Sequence, residues 1–167
     1  LGLVKGLFRR LLHRAFRWGY QQADFIAAYS PGIQEAIQPL AGKVPLILSH
    51  NGANPRLFRR IGPPPYLPFR LIYAGTFGRV NHLDFLLEVA KYLLPWRGIE
   101  VWLLGDGSER PRLEAVASHL SNLRFFSPVS LEELPYWLSQ CHIGVSTVLP
   151  VRSLSTNAAS KFYHYLA

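Results

Sequence analysis

The residues best suited to chemistry are small and polar, and they gather at turns. Gly75-Thr76-Phe77-Gly78 and Gly105-Asp106-Gly107-Ser108 each follow an apolar run and precede a helical stretch. Glycine lets the backbone approach a phosphate closely, and helix starts attract anions. Arg79 and His82 lie just past the first turn, at the head of an expected helix, where a cation or donor could meet a diphosphate. A third cluster, Ser155, Thr156, Asn157, Ser160 and Lys161, brings hydroxyls, an amide and an ammonium to the start of the last expected helix. Such groups cap a helix and suit an anion or sugar hydroxyls. Lys161 falls in the first turn, where the helix dipole disfavours a cation unless an anion is near. Plainer readings stand beside each: tight turns for the glycines, solvated loop side chains for Arg79 and His82, an exposed face for Lys161.

Other chemistries find little support. Neither turn has G-x-G-x-x-G or P-loop spacing, which argues against a nicotinamide dinucleotide or a Walker-type site. The six histidines lack H-E-x-x-H spacing, and a single cysteine, Cys141, excludes a zinc site built on paired cysteines and a disulfide framework. No metal site and no cofactor are expected. Cys141 and His142 are neighbours in sequence and so do not face each other in a helix. Glu132-Glu133 read as an acidic first turn, and Asp84 with Glu88 as a wet helix face. No catalytic residue stands out.

Short apolar runs alternating with helical stretches must position these groups. Residues 24–30, 44–50, 69–75, 99–105, 123–129 and 142–148 read as strands. Residues 31–40, 82–94 and 131–140, a stretch capped by Ser108, and a final stretch from about 158 read as helices. Near-continuous apolar strands alternating with helices imply an α/β fold, a parallel sheet with helices on both faces. The prolines at 63, 64 and 65 mark residues 61–68 as a linker.

The chain has 167 residues, 49% hydrophobic and 17% charged, which excludes disorder and permits a sizeable core. Its net charge is +8, yet five basic residues and no acid fall within residues 1–23. Residues 3–18 carry Leu3, Val4, Leu7, Phe8, Leu11, Leu12, Ala15 and Phe16 at helical spacing, with arginines on the other side. This basic amphipathic helix is neither a secretory signal nor a membrane span. Residues 1–22, with Trp18, could meet an anionic lipid surface, or the apolar stripe could pack on protein. With the excess charge confined to one helix, nucleic acid is not an expected partner. The chain starts at Leu1, has no methionine and stops inside an expected helix, so both ends are expected to be internal to a longer protein.

The series ADFIAAYSPGIQEAI, VPLILSHNGANPRLF, FRLIYAGTFGRVNHLDFLLEVA, VWLLGDGSERPRLEAVA, LRFFSPVSLEELPYWLSQCHIGVSTV and SKFYHYLA resembles the family 4 glycosyltransferases, in order and over essentially the whole chain. The resemblance implies GT-B architecture, two Rossmann-like domains of which one holds a nucleotide-sugar. Residues 1–60 would be the end of the acceptor-side domain, a helix–strand remnant. Residues 69–167 would be most of the donor domain. It further implies transfer of a sugar with retention and usually without metal, to a polysaccharide or glycolipid acceptor, the donor diphosphate assisting the acceptor hydroxyl. The location implied is cytoplasmic, peripheral to the inner face of the membrane in the lipid-binding alternative. The isolated 167 residues are expected to be inactive. By matching position, Gly75 and Gly78 would face the donor phosphates, and Ser127, Pro128 and Val129 the nucleotide base. Thr76 and His82 stand where many members have arginine and lysine. Thr156 and His164 stand where many have two glutamates. Lys161 fits a branch with lysine in this region.

Overall fold

In the computed structural model of the chain, residues 6–59, 61–151 and 159–167 are described. The residues fall into two compact units, dividing between Asn51 and Gly52. That division precedes the proline run, and the second unit takes in residues 52–59. The reason is local: Phe58 is buried, its ring stacked on that of His164 at 4.3 Å.

The first unit is a helix followed by a strand–helix–strand. Helix α1 spans Leu7–Gln21, extending beyond the expected 3–18 at its C-terminal end, and packs against α2, Pro31–Ala41. Strands β1 (Ile26–Ala28) and β2 (Leu46–Leu48) pair in parallel, Ile26 opposite Leu46. Ser30 starts α2: it is buried, and its hydroxyl accepts from the Ile33 N–H at 3.3 Å. Pro31 follows at the position where a missing N–H costs nothing.

The second unit holds a four-stranded, wholly parallel sheet in the order β5-β4-β3-β6. The strands are β3 (Phe69–Ala74), β4 (Ile99–Leu104), β5 (Leu123–Phe126) and β6 (Ile143–Gly144). The helices are α3 (Asp84–Leu93), α4 (Arg110–Val116), α5 (Leu134–Ser139) and α6 (Ser160–Leu166). Side chains alternate across the strands, so neighbouring residues feed opposite cores. Tyr73, Val101 and Leu103 join Leu86, Leu87 and Ala90 of α3 and Leu113 of α4 on one face. Ile72, Ala74, Trp102 and Leu104 meet Leu134, Trp137 and Leu138 of α5 and Tyr165 of α6 on the other. Both faces are apolar because both are covered, as the expected fold class requires.

Several boundaries differ from expectation. Helix α3 starts at Asp84, because His82 takes a left-handed backbone (φ 48°) that ends a separate 3-10 turn, Arg79–Asn81. Glu109, with no side-chain capping bond, holds the cap position of α4 in place of Ser108; its carboxylate binds Arg112 at 2.9 Å. Helix α5 starts three residues late because Ser130 and Glu133 close a capping box first, each accepting from the other's backbone N–H at 3.2 and 3.0 Å.

Candidate functional site

Strand order reverses at β3: the chain moves outward to β4 and β5, then returns to lay β6 on the other side. In open parallel sheets, ligands bind outside the carboxyl ends of strands near such a reversal. There the two glycine turns are stitched together. The Gly75 N–H donates to Leu104 O (2.9 Å), Phe77 N–H to Asp106 O (2.7 Å), and Gly105 N–H to Phe126 O (3.1 Å). Gly105 is required: its φ is 143°, and a Cβ there would overlap the carbonyl oxygen of Gly75. Arg110 Nη1 straps the β4 and β5 ends, donating to Gly105 O (2.7 Å) and Phe126 O (3.2 Å). Tyr73 Oη and Asn81 Nδ2 both donate to Thr76 O, at 2.9 and 2.7 Å, and fix the first turn.

A cavity of about 420 Å³ opens over these turns. Its floor is Ala74, Gly75, Thr76, Leu104, Gly105 and Asp106, and its walls are Pro128, Val129, Leu134, Ser160, Lys161 and His164. Among the described residues, Lys161 is the cation of this lining and Asp106 its carboxylate. Asp106 is turned to its own loop, Oδ1 accepting from the Gly107 N–H at 2.7 Å. Lys161 reaches across Gly75, with Cε 3.0 Å from where a Cβ of Gly75 would stand. Its Nζ donates to Tyr73 Oη at 3.3 Å and lies 4.6 Å from the centre of that ring. No carboxylate among the described residues pairs with it. Burial lowers the Lys161 pKa, and burial likewise lowers that of His164. Burial also raises the Tyr73 phenol well above its ordinary value, with the neighbouring Tyr165 adding to the shift.

Of the residues singled out in the sequence, Gly75, Thr76, Pro128, Val129, Ser160, Lys161 and His164 line this cavity. Gly78, Arg79, His82 and Ser127 do not. Arg79 is exposed in the 3-10 turn, and His82 lies beside Phe85 with ring centres 6.5 Å apart. Ser155, Thr156 and Asn157 lie outside the described residues. Ser160 is the first residue of α6, not its cap. Gly105 and Asp106, from the second glycine turn singled out in the sequence, line the cavity as well. Sequence reasoning missed Leu134, whose apolar character reads as core. A second cavity of about 600 Å³, lined by Phe58, Phe69, Leu138 and Cys141 among others, shares His164 with the first. Burial pushes the Cys141 thiol there up to about 12, and an un-ionised thiol is unreactive. Among the described residues, no three His, Cys, Asp or Glu side chains stand together as metal ligands, and no helix is long and apolar enough to cross a membrane.

No protein-family profile matches the chain. No curated protein matches it either. Solved structures do. Sucrose-phosphate synthase from Thermosynechococcus elongatus superposes with a TM-score of 0.65 at 18% identity, over 82% of this chain and 38% of that one. Anabaena HepE, solved with UDP-glucose, gives 0.65 at 15% identity, over 84% and 42%. The pneumococcal O-GlcNAc transferase GtfA, solved with UDP and GlcNAc, gives 0.61 at 14% identity, over 80% and 27%. The chain thus spans less than half the length of each of these. At such identities the likeness speaks for the fold, and the fold is Rossmann-like α/β, parallel sheets flanked by helices as in the GT-B glycosyltransferases.

Proposed function

We propose that the second unit binds the diphosphate of a nucleotide-sugar and that the chain is part of a retaining, metal-independent glycosyltransferase of family 4 type. The observation that carries this reading is Lys161, a half-buried cation with no carboxylate partner among the described residues, set over a glycine turn at the sheet reversal. A buried, unpaired cation costs stability, and a bound anion offsets that cost. HepE and GtfA, which share the fold, were solved with UDP-sugar or UDP, so UDP is the first ligand to test.

In this reading Lys161 holds a diphosphate oxygen, while Leu104, Pro128, Val129 and Leu134 form an apolar wall for the rest of the nucleotide. The C1–O bond to the diphosphate breaks with its electron pair leaving on phosphate. The acceptor oxygen bonds C1 from the same face, and its proton passes to a diphosphate oxygen. Positive charge at Lys161 stabilises the leaving group as charge develops. The acceptor is a polysaccharide or glycolipid hydroxyl. Since the chain spans 38–42% of two of the enzymes it resembles in fold, these residues are expected to bind donor without turning it over.

Titration calorimetry with UDP on the 167-residue chain tests the claim. Binding is expected, and Lys161→Met should weaken it roughly 10- to 100-fold, the worth of a hydrogen bond to a charged group. Equal affinity in the two proteins would remove Lys161 from the site. Absence of binding by UDP and by the other nucleoside diphosphates would end the reading.

Helix α1 supports a second activity of the chain, contact with an anionic lipid surface. Phe8, Leu11, Phe16 and Trp18 are all more than half exposed on one arc, and Arg9, Arg10, Arg14 and Arg17 fill the other. Such a helix lies in an anionic interface with its apolar side down. Co-sedimentation with phosphatidylglycerol vesicles, lost in Arg9→Glu/Arg14→Glu, is the expected result. Failure of the unaltered chain to bind would dismiss it.

A further inference from the structure

We infer that Tyr165 is a positioning residue: its hydroxyl, inserted as a rung between β3 and β6, docks α6 on the sheet and thereby sets Lys161 over the Gly75 turn. The inference rests on the nucleotide-binding reading of that cavity and adds how the cation is held there.

Strands β3 and β6 begin as an ordinary parallel pair, Leu71 opposite Ile143 and Ile72 opposite Gly144. The Val145 N–H then donates to Ile72 O at 2.7 Å. In a regular parallel ladder the next bond would run from the Ala74 N–H to Val145 O. Instead Tyr165 Oη takes both places, accepting from the Ala74 N–H at 3.0 Å and donating to Val145 O at 3.2 Å. A side chain from a helix 20 residues downstream of Val145 thus completes the backbone ladder. The two strands part where the hydroxyl enters, beside the cavity floor that Ala74 and Gly75 form.

The packing around the ring shows that this insertion is built in. Gly144 lies directly against the Tyr165 ring, and any Cβ there would collide with it. Burial pushes the Tyr165 phenol up to about 12, so the hydroxyl keeps the proton it donates. Helix α6 needs such an anchor. It has seven residues, no fully buried side chain and no side-chain capping bond at its start. An isolated helix of that length is unstable in water. Lys161 and Tyr165 are one turn apart and so project from the same face. Fixing Tyr165 in the ladder therefore fixes the direction from which Lys161 reaches Gly75. Misplacing a contacting group weakens a charged ligand contact even when the group itself is intact.

Tyr165→Phe removes one oxygen atom and keeps the ring. Two readouts separate positioning from mere stability: UDP affinity by calorimetry, and the Lys161 ammonium titration followed by NMR of side-chain-labelled lysine. The inference expects a folded protein whose UDP affinity falls about 3- to 10-fold, the worth of one neutral hydrogen bond. It also expects the Lys161 pKa to rise toward that of an ordinary lysine as α6 loosens and water reaches the ammonium. Where Tyr165→Phe gives no folded protein, Gly144→Ala, which leaves the hydroxyl but displaces its ring, should produce the same two changes. An unchanged Lys161 titration and unchanged affinity alongside a lower Tm would overturn the inference. If the unaltered chain binds no nucleoside diphosphate, the functional reading falls, while the lysine titration still decides whether Tyr165 sets Lys161.

Discussion

At the scale of single residues, Lys161 carries opposite demands. Its ammonium is half-buried with a phenol hydroxyl at 3.3 Å and no carboxylate beside it among the described residues. Folding without ligand therefore carries a desolvation cost that water would otherwise relieve. Lys161→Met, which weakens nucleotide binding, should accordingly raise thermal stability, by on the order of 1 kcal/mol. A lower Tm in that variant would show that the lysine is held by favourable contacts and is not waiting for an anion. His164 makes a pH prediction. Burial lowers its pKa from the ordinary 6.5, so its neutral form is the one that stacks on Phe58. Its contribution is complete above 6.5 and is lost as the pH falls toward the folded-state value. Melting curves at pH 7 and pH 5 should therefore show a drop that His164→Phe diminishes. An identical drop in both proteins would assign the acid sensitivity elsewhere. Part of this was legible in the sequence: Gly75 stands in a glycine turn and Lys161 in the first turn of an expected helix, while Pro128 and Val129 were indicated only by the family resemblance. Tyr165 was not, because a tyrosine on the apolar face of a short helix looks the same whether its hydroxyl meets water or a strand backbone.

At the scale of elements, the strands and helices came out of the alternation of apolar runs, and the errors fall where local bonds compete. The expected helix from 82 loses its first two residues to a left-handed His82. Residues 145–148 leave β6 after two residues, because Tyr165 takes the next rung and Thr147 Oγ1 bonds Asn81 O at 2.6 Å. No periodicity encodes either event: the first is a single residue's backbone conformation, and the second depends on Tyr165 and Asn81, both distant in sequence. The turns that were recognised are held tightly. Gly105→Ala should destabilise by about 3 kcal/mol or more, since its Cβ meets a backbone oxygen with no room to move and its φ disfavours a side chain. Ser30→Ala, which removes the α2 cap, should cost about 1 kcal/mol. Urea titration of each variant gives the comparison. A Gly105→Ala loss as small as that of Ser30→Ala would mean that the two glycine turns can move apart.

At the scale of the whole molecule, composition and charge set the class, and the structure sharpens what each means. A domain-length chain rich in apolar residues became two compact units, the second with a parallel sheet covered on both faces. The cavity of the second unit has Lys161 as its cation among the described residues. The fold follows from pattern, and many unrelated activities share such folds. The function rests on a few side chains at one end of the sheet. The most direct test of that placement is an amide NMR titration of the chain with UDP. Shifts concentrated at Gly75–Gly78, Gly105–Gly107, Ser127–Val129 and Ser160–His164 are the predicted result; shifts centred on Phe58, Phe69 and Cys141 around the second cavity, or none at saturating UDP, would contradict it.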